Sequence, residues 1–291
     1  GLVAVSSASA VISYERFGHN NYYFFRQLIF AGAGLLAMFI FSKIDYRFWR
    51  KWSRPLMALG LVLLVLVIIP GVGFKPGTSS RSWFRLGGFL LQPSEFVKPL
   101  FIFYLASWFE RKKDAENNFW FGLLPPLLVS GGILGLLVLE PDIGTAGIFG
   151  AILLILFFVA GTPWKYFVGL GILAAGVVWI LIKTAPYRAA RILTFLDPSL
   201  DPRGIGYHIN QALLAIGSGG FWGHGLGKSL QKHNYLPEPI GDSIFAVMAE
   251  ELGFIRIILL VLAFAIFVFL GLRLSRRAPD KFSQLACVGI V

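Results

Sequence analysis

The chain has 291 residues, of which 56% are hydrophobic and only 14% are charged, and its mean hydropathy is +0.73. A soluble domain of this length would carry about 25% charged residues, so the composition excludes an ordinary soluble domain. The net charge of +11 does not indicate nucleic acid binding, because the basic residues lie between apolar runs, where they orient helices or meet anionic groups at a membrane. The composition therefore predicts a polytopic, all-α membrane protein.

Apolar runs of roughly twenty residues, the length that crosses ~30 Å of hydrocarbon, recur along the chain. They predict nine spans, of which the first and last are partial: 1–13, 22–42, 54–71, 93–109, 119–140, 142–161, 165–184, 243–272 and 282–291. Because both terminal runs are apolar and short, we expect both ends to be incomplete. Pro141 and Asp142 predict a tight turn, as do residues 161–163. Ordinary turn chemistry is the favoured interpretation of Glu140 and Asp142, which flank the first of these turns.

The basic residues predict which face of the membrane each connection occupies. Thirteen of them lie in four short connections on one face, and the positive-inside rule assigns that face to the cytoplasm. Basic residues also lie on the outer face, where an anionic substrate would account for them. Two outer connections are long, 72–92 and 185–241, and connections of such length are usually functional. The second contains the apolar stretch INQALLAIG, which predicts a short helix lying along or dipping into the bilayer.

Asp242 stands immediately before the apolar run SIFAVMAEELGF. One interpretation is a helix N-cap, in which the carboxylate accepts the free amides of the first turn. The other is a general base at the membrane surface, which takes a proton from a sugar or alcohol hydroxyl. The two roles are compatible if one oxygen caps the helix and the other faces a cavity.

Further ionisable residues lie within the predicted spans. Glu250 and Glu251 follow Asp242 in the same span, and ionisable groups there usually face a cavity or a partner. Glu95 and Lys98 are three residues apart, and so lie on one face of a helix predicted to begin near Pro93. Both a simple ion pair and a direct role in substrate binding remain open for these two residues.

A cluster of glycines between residues 217 and 227 precedes Lys228 and Ser229. It is not a nucleotide-binding P-loop, because Trp222 occupies the position that requires the first glycine and no strand precedes it. Glycine amides and a lysine can still hold a pyrophosphate without that fold. The nearby histidines lack the spacing of zinc ligands and are interpreted as solvated loop residues: His208, His224 and His233.

Five sequence stretches, distributed over nearly the whole chain, resemble the SEDS family (shape, elongation, division and sporulation) and follow the order they have in that family. The family includes the FtsW, RodA and SpoVE proteins. The stretches are SWFRLGGFLLQPSEFVK at 82–98, EPDIGTA at 140–146, YRAARILTFLDP at 187–198, GYHINQALLAIGSGGFWGHGLGKSLQK at 206–232 and YLPEPIGDSIFAVMAEELGF at 235–254. Because they match in order and spacing, the resemblance is specific. It is closer to the division branch than to the elongation branch.

The resemblance implies a bundle of ten transmembrane helices, about nine of them present here. Residues 1–291 would form a single integral-membrane domain, with the long extracytoplasmic loop 185–241 before the eighth helix. SEDS proteins are peptidoglycan glycosyltransferases of the bacterial cytoplasmic membrane. They polymerise lipid II, an undecaprenyl-pyrophosphate disaccharide-pentapeptide, on the extracytoplasmic face together with a class B penicillin-binding protein.

The resemblance also implies roles for individual residues. Asp242 matches the catalytic aspartate of the family. The remaining matches are to substrate-binding positions: Trp83, a functionally important tryptophan; Glu95, Lys98 and Asp142, which line a central cavity; and Arg188 and Arg191, at the basic start of the long outer loop.

The chain departs from the family pattern at three places. Gly241-Asp242-Ser243 replaces the usual Thr-Asp-Phe, although the aspartate remains. Ser82 replaces the arginine that often precedes the tryptophan, and Arg81 stands one residue earlier. Arg256 stands where the family usually has a small residue.

The implied reaction has two chemical requirements. A base must take the proton of the attacking hydroxyl, and we assign this role to Asp242. Positive charge must also stabilise the departing pyrophosphate, for which the candidates are Arg188, Arg191, Lys98, Arg81 and Lys228. A divalent cation such as Mg or Mn could share this role, although the sequence has no dedicated ligand set.

Two other functions use the same features. A transporter or flippase of a lipid-linked sugar would need the same charges but would form no glycosidic bond. A scaffold that only recruits the transpeptidase would not need Asp242.

Overall fold

The computed structural model of the chain describes residues 1–75, 81–87, 89–111, 119–184, 189–190, 193–194, 197, 201–202, 204, 206–233 and 236–291. The predicted sites Arg188 and Arg191 lie outside these residues. The chain divides into two compact units. The first unit comprises Gly1–Lys43 and Ile172–Ile266, and the second comprises Ile44–Gly171 and Phe267–Val291.

The helices, numbered along the described residues, are α1 (Leu2–Phe17), α2 (Tyr22–Lys43), α3 (Tyr46–Ile68), α4 (Pro93–Arg111), α5 (Leu124–Leu139), α6 (Ile143–Ala160), α7 (Trp164–Thr184), α8 (Tyr207–Ser218), α9 (Ile244–Ser275) and α10 (Lys281–Ile290). A π-helical turn, Phe119–Leu123, leads into α5. Every predicted span is helical, and INQALLAIG forms α8, as predicted. Within the described ranges, five segments are long and apolar enough to cross a membrane: Tyr22–Lys43, Tyr46–Ile68, Phe119–Leu139, Ile143–Ala160 and Ile244–Ser275.

Local capping explains where several helices begin and end. The helix α3 begins at Tyr46, earlier than predicted, because the Asp45 carboxylate accepts the amide of Arg47 and caps it. Pro93 opens α4, as predicted, since proline suits the first helical position. Gly161 ends α6 in the left-handed conformation (φ 93°), which confirms the turn predicted for residues 161–163.

The second unit also contains a small hairpin that the sequence pattern does not predict. Strands β1 (Phe84–Leu86) and β2 (Phe89–Leu91) pair antiparallel, with Phe84 opposite Leu91. The amide of Phe74 donates to the carbonyl of Trp83 (2.7 Å), which holds the preceding segment against the hairpin. Because β2 ends next to Gln92, the hairpin fixes where α4 starts.

Close packing of α3, α4, α5, α6 and α10 forms the core of the second unit. The rings of Phe101 on α4 and Phe149 on α6 lie 5.3 Å apart, and both are buried. Gly60 on α3 lets Val97 on α4 approach so closely that an added Cβ would lie 3.1 Å from it. Small residues at such contacts are typical of helices that associate in lipid, where packing rather than water exclusion drives association.

In the first unit, the helix α9 is broken at Gly253, whose φ of 76° and ψ of 171° are not helical. The break separates residues 244–252 from residues 254–275 and frees backbone groups on both sides. Residues 219–233, here called the glycine loop, supply partners for these groups. The backbone hydrogen bonds between the two segments run from His224 N to Glu250 O (3.0 Å), Gly225 N to Glu251 O (3.0 Å), Phe254 N to Gly220 O (2.9 Å) and Ile255 N to Phe221 O (3.2 Å).

These bonds explain how a predicted membrane span tolerates a break. Hydrocarbon offers no water to unpaired amides and carbonyls, so a broken helix needs other protein groups to bind them. Arg256 adds a further donor, because its Nη1 lies 3.1 Å from the carbonyl of Trp222 and 3.4 Å from that of Leu252. The arginine that departs from the family pattern therefore binds carbonyls at the break.

The contact between the glycine loop and the break leaves no room for side chains. A Cβ at Gly253 would collide with the amide of Gly223, and a Cβ at Gly223 would collide with the carbonyl of Glu251. Both glycines also have a positive φ, 76° and 74° respectively, which other residues adopt only with strain.

We therefore expect Gly253→Ala and Gly223→Ala each to lower the apparent melting temperature of the purified protein in detergent by about 5 °C or more. The control is Gly217→Ala in α8, where no atom lies within 4 Å of the added Cβ. This control should melt within about 2 °C of the wild type. Equal melting temperatures for all three variants would contradict the tight contact described here.

Candidate active site

Asp242 is exposed at the start of α9. Among the residues that the structure describes, its carboxylate makes no hydrogen bond or ion pair. The N-cap interpretation is therefore not what the structure shows, because no amide of the first turn reaches the side chain. The carboxylate is open to a ligand or to solvent.

The turn that carries Asp242 is held by its neighbours. The amides of Gly241 and Ser243 both donate to the carbonyl of Glu238, at 3.1 and 3.2 Å. The buried Ser243 hydroxyl donates to the carbonyl of Pro237 (2.8 Å) and lies 2.6 Å from Nε2 of His208. The interpretation of His208 as a solvated loop residue is therefore wrong, because its ring is bonded to the start of α9. No sequence pattern predicts this contact, which joins residues 35 positions apart.

Glu251 lies at the centre of a buried polar cluster in the first unit. Its carboxylate forms an ion pair with Lys232 (3.0 Å), and the Ser7 hydroxyl lies 2.7 and 2.6 Å from its two oxygens. Lys232 also donates to the carbonyl of Gly227 (2.8 Å). Lys232 and Glu251 are only 3% and 2% exposed, so each charge depends on the other for stabilisation.

Glu250 binds the same loop with uncharged donors. The amide of Leu230 donates to its Oε1 (2.9 Å), and the Ser229 hydroxyl donates to its Oε2. Glu250 and Ser229 are both buried. The expectation that Glu250 and Glu251 face a cavity or a partner is thus resolved in favour of a partner, which is the glycine loop.

Lys228 differs from Lys232 because it is exposed. Its amide donates to the carbonyl of Gly225 (3.2 Å), so the backbone turns at this point of the glycine loop. Lys232 is bonded within the protein to Glu251 and to the carbonyl of Gly227. The ammonium of Lys228 instead lies at the surface, where an anion can approach it.

In the second unit, the structure brings two of the predicted motifs together. Lys98 and Glu95 form an ion pair (2.8 Å) on one face of α4, as their spacing predicts. Gln92, directly before α4, donates from Nε2 to Oδ2 of Asp142 (3.0 Å). Oδ1 of Asp142 accepts the amide of Thr145 (3.1 Å) and so caps α6. Asp142 is therefore a helix cap with both oxygens bound, and Gln92 is a further contact residue that was not among the predicted sites.

Glu140 is the neighbouring acid, between the end of α5 and the start of α6. It is 2% exposed, and neither carboxylate oxygen has a hydrogen-bond partner among the described residues. The Ser82 hydroxyl lies 3.5 Å from its backbone carbonyl, beside the half-buried Arg81 and Trp83. Burial raises the pKa of Glu140 to about 7, and the charge of Asp142 also raises it.

Across the described part of the chain, no group of three or more His, Cys, Asp or Glu residues is arranged to hold a metal ion. The divalent cation considered from the sequence remains a prediction, and no chemical step is assigned to it.

The fold and these sites define a multi-pass membrane protein with a broken helix beside an open carboxylate. The family model described as "Cell cycle protein", which covers FtsW, RodA and SpoVE, matches residues 1–291. The chain belongs to this family, which confirms the resemblance found in the sequence.

Curated relatives of the chain are similar over its whole length. "Stage V sporulation protein E" of Bacillus subtilis (strain 168) is 42% identical over 291 residues, which cover 100% of this chain and 79% of that protein. "Probable peptidoglycan glycosyltransferase FtsW" of Trichlorobacter lovleyi is 43% identical over 290 residues, which cover 100% of this chain and 76% of that protein.

Solved structures show the same fold. A chain from a study of "polymerization and crosslinking by a peptidoglycan synthase complex" has a TM-score of 0.76 at 28% identity, and the match covers 99% of this chain and 80% of that one. The rod shape determining protein RodA of Thermus thermophilus has a TM-score of 0.65 at 26% identity, and the match covers 99% of this chain and 78% of that one.

The ion pair in the first unit leads to a stability prediction. Lys232→Met and Glu251→Gln should each destabilise the protein by about 3–5 kcal/mol, because each leaves a buried charge without its partner. The double variant should be more stable than the sum of the two effects predicts. Thermal unfolding in detergent measures all three.

Lys98→Met is the control for the ion pair, because it removes a lysine whose partner Glu95 is 54% exposed in its side chain. Its effect on stability should be about 1 kcal/mol or less. Similar melting temperatures for Lys232→Met and Lys98→Met would show that the buried pair contributes little.

Glu140 leads to a prediction on pH. A carboxyl group whose pKa is raised in the folded state stabilises the fold at low pH, and that contribution is lost as the pH rises through about 7. Glu140→Gln should therefore match the wild type near pH 5 and exceed its stability by about 1–3 kcal/mol near pH 8. Melting curves at both pH values test this. Glu95→Gln controls for the general removal of a carboxylate from the same unit, and a pH-independent effect of Glu140→Gln would contradict the prediction.

Proposed function

We propose that this chain is a peptidoglycan glycosyltransferase that polymerises lipid II into glycan strands, with Asp242 as the general base. The observation that carries the proposal is the open Asp242 carboxylate, which has no partner among the described residues although the side chain of the adjacent Ser243 is bonded. Family membership and the names of the relatives support the reaction class.

The proposed reaction is an inverting displacement. The 4-hydroxyl of the acceptor's N-acetylglucosamine attacks the anomeric carbon of the donor's N-acetylmuramic acid, and a new glycosidic bond forms. The bond from that carbon to the pyrophosphate oxygen breaks, and undecaprenyl pyrophosphate leaves with the electron pair. Asp242 accepts the proton of the attacking hydroxyl.

The surroundings of Asp242 suit a general base. A base must come within hydrogen-bonding distance of the proton it removes, and an exposed carboxylate at the end of a helix can be approached by a sugar. The segment that follows it, residues 244–252, is fixed to the glycine loop through Glu250 and Glu251. The carboxylate is therefore accessible, while the helix that carries it is anchored.

The departing pyrophosphate requires positive charge. In the first unit, the exposed Lys228 is our candidate among the described residues. In the second unit, we propose contacts to substrate from Trp83, Arg81, Glu95 and Lys98, with Asp142 holding the start of α6. Arg188 and Arg191 keep the roles assigned from the sequence.

We place the active site on the extracytoplasmic face of the bacterial cytoplasmic membrane and propose a class B penicillin-binding protein as partner. The concentration of basic residues in short connections supports the orientation. The similar chain from a peptidoglycan synthase complex supports the partner. Division, elongation and sporulation remain alternatives for the process that the enzyme serves.

A flippase of lipid-linked sugars is the second candidate. It would use the exposed Lys228 and the acidic side chains to pass the substrate across the membrane, without forming a glycosidic bond. The accessible carboxylate favours the transferase, because proton removal needs such a group and passage of a pyrophosphate past it does not.

The test is glycan polymerisation from purified lipid II in liposomes with the partner transpeptidase. Asp242→Ala and Asp242→Asn should each lower the rate by about 100- to 10,000-fold, because the hydroxyl proton then has no acceptor. Asp45→Asn is the matched control: it changes another aspartate beside a helix start, where Asn also caps well, and should leave the rate unchanged.

Persistent polymer from Asp242→Ala, with partner binding intact, would exclude Asp242 as the base. If the wild type forms no polymer but moves lipid II across the bilayer, the flippase is the better description.

A further inference from the structure

The histidine on the first turn of α8 is bonded to the residue that follows Asp242. Nε2 of His208 lies 2.6 Å from Oγ of Ser243, and that oxygen lies 2.8 Å from the carbonyl oxygen of Pro237. Ser243 is buried and His208 is half-buried. The three residues come from α8, the segment before α9 and the start of α9, so the contact joins separate parts of the first unit.

The number of available protons fixes the direction of both bonds. The carbonyl of Pro237 can only accept, so the single hydroxyl proton of Ser243 is donated to it. The Ser243 oxygen then has only lone pairs to offer His208, and Nε2 must carry a proton. The opposite tautomer would place two lone pairs 2.6 Å apart. In the imidazolium form Nε2 also carries a proton, so the bond exists in either charge state of the ring.

Ser243 and its neighbour Asp242 lie in different surroundings. Two amides of the turn donate to the carbonyl of Glu238, and the Ser243 side chain is bound on the buried side. Asp242, one residue earlier, is exposed and has no partner among the described residues. If Ser243 lost its acceptor contact with His208, its hydroxyl could rotate towards the first-turn amides of α9, and the turn would lose its attachment to α8.

We propose that His208 is a positioning residue for Asp242, acting through an Nε2–H bond to Ser243 that holds the turn 237–243 with the carboxylate outward. It does not contact Asp242 and has no role in proton transfer. The inference rests on the proposed function for its kinetic consequence, whereas the hydrogen-bonded pair itself can be tested without any activity.

Two substitutions of His208, by Gln and by Asn, have similar polarity and distinguish the positioning role from a general loss of folded structure. The side-chain amide of Gln carries its N–H about as far from the backbone as the Nε2 of histidine, whereas that of Asn is too short. His208→Gln should therefore keep the rate of lipid II polymerisation within about threefold of the wild type. His208→Asn and Ser243→Ala should each lower kcat by about 10- to 100-fold and change KM by less than about threefold. Both variants disturb the position of the Asp242 carboxylate rather than the binding of lipid II.

The double variant His208→Asn/Ser243→Ala completes the cycle and should be no slower than the slower single variant, since both changes break one bond. His224→Asn is the control, because that histidine is an exposed residue of the same unit. It should behave as the wild type. Rates are normalised to folded protein and measured with the full-length chain and its partner transpeptidase.

The tautomer is tested in the resting protein by nitrogen NMR with labelled histidine, at a pH of about 8.5, where free imidazole is neutral. The signal that disappears in His208→Gln should be that of a ring protonated at Nε2. A ring protonated at Nδ1 overturns the proposal, as do multiplicative effects of the two single variants or equal rates for His208→Gln and His208→Asn. If the wild type forms no polymer, the proposed function fails and the positioning role fails with it, but the NMR result still decides whether the pair exists.

Discussion

The structure of the first unit depends on one constraint: a helix broken inside an apolar span must have its free backbone groups bound by protein. The glycine loop meets this constraint at Gly253 by donating to carbonyls before the break and accepting amides after it. At Gly219, Gly223 and Gly253 an added Cβ would collide with the facing backbone, which explains the glycines at these three positions. The conformation of the loop and the position of α9 are therefore determined together.

Around this backbone contact, the polar side chains fall into two groups with different surroundings. Glu250, Glu251 and Lys232 are buried and bonded to the glycine loop or to each other. Asp242 and Lys228 are exposed. Buried ionisable groups are expensive in a membrane protein unless they are bound, so the first group serves the fold. The second group is available to a ligand, and among the described residues of the unit the proposed chemistry uses these two.

The apolar runs predicted the helices well, because the thickness of the hydrocarbon layer sets their length. The Glu95–Lys98 pair was predictable for a similar reason, since helical geometry brings residues three apart together. The break in α9 was not predicted, although a glycine followed three residues later by Arg256 in an apolar run was an available signal. The acceptors of that arginine exist only once the helix is broken. The hairpin was missed because three-residue strands have too few residues to show alternation.

The contact of Ser7 with Glu251 spans 244 positions of the chain. Because synthesis runs from the N-terminus, α1 is made long before Glu251, its partner at Ser7, exists. Contacts between such distant positions form late, because a long stretch of chain must be ordered before they are gained. The glycine loop, in contrast, ends only ten residues before α9 begins, so its contacts with the break need far less of the chain to be ordered. The buried cluster then becomes a late step of assembly in the first unit, in which a helix made early attaches to a helix made much later.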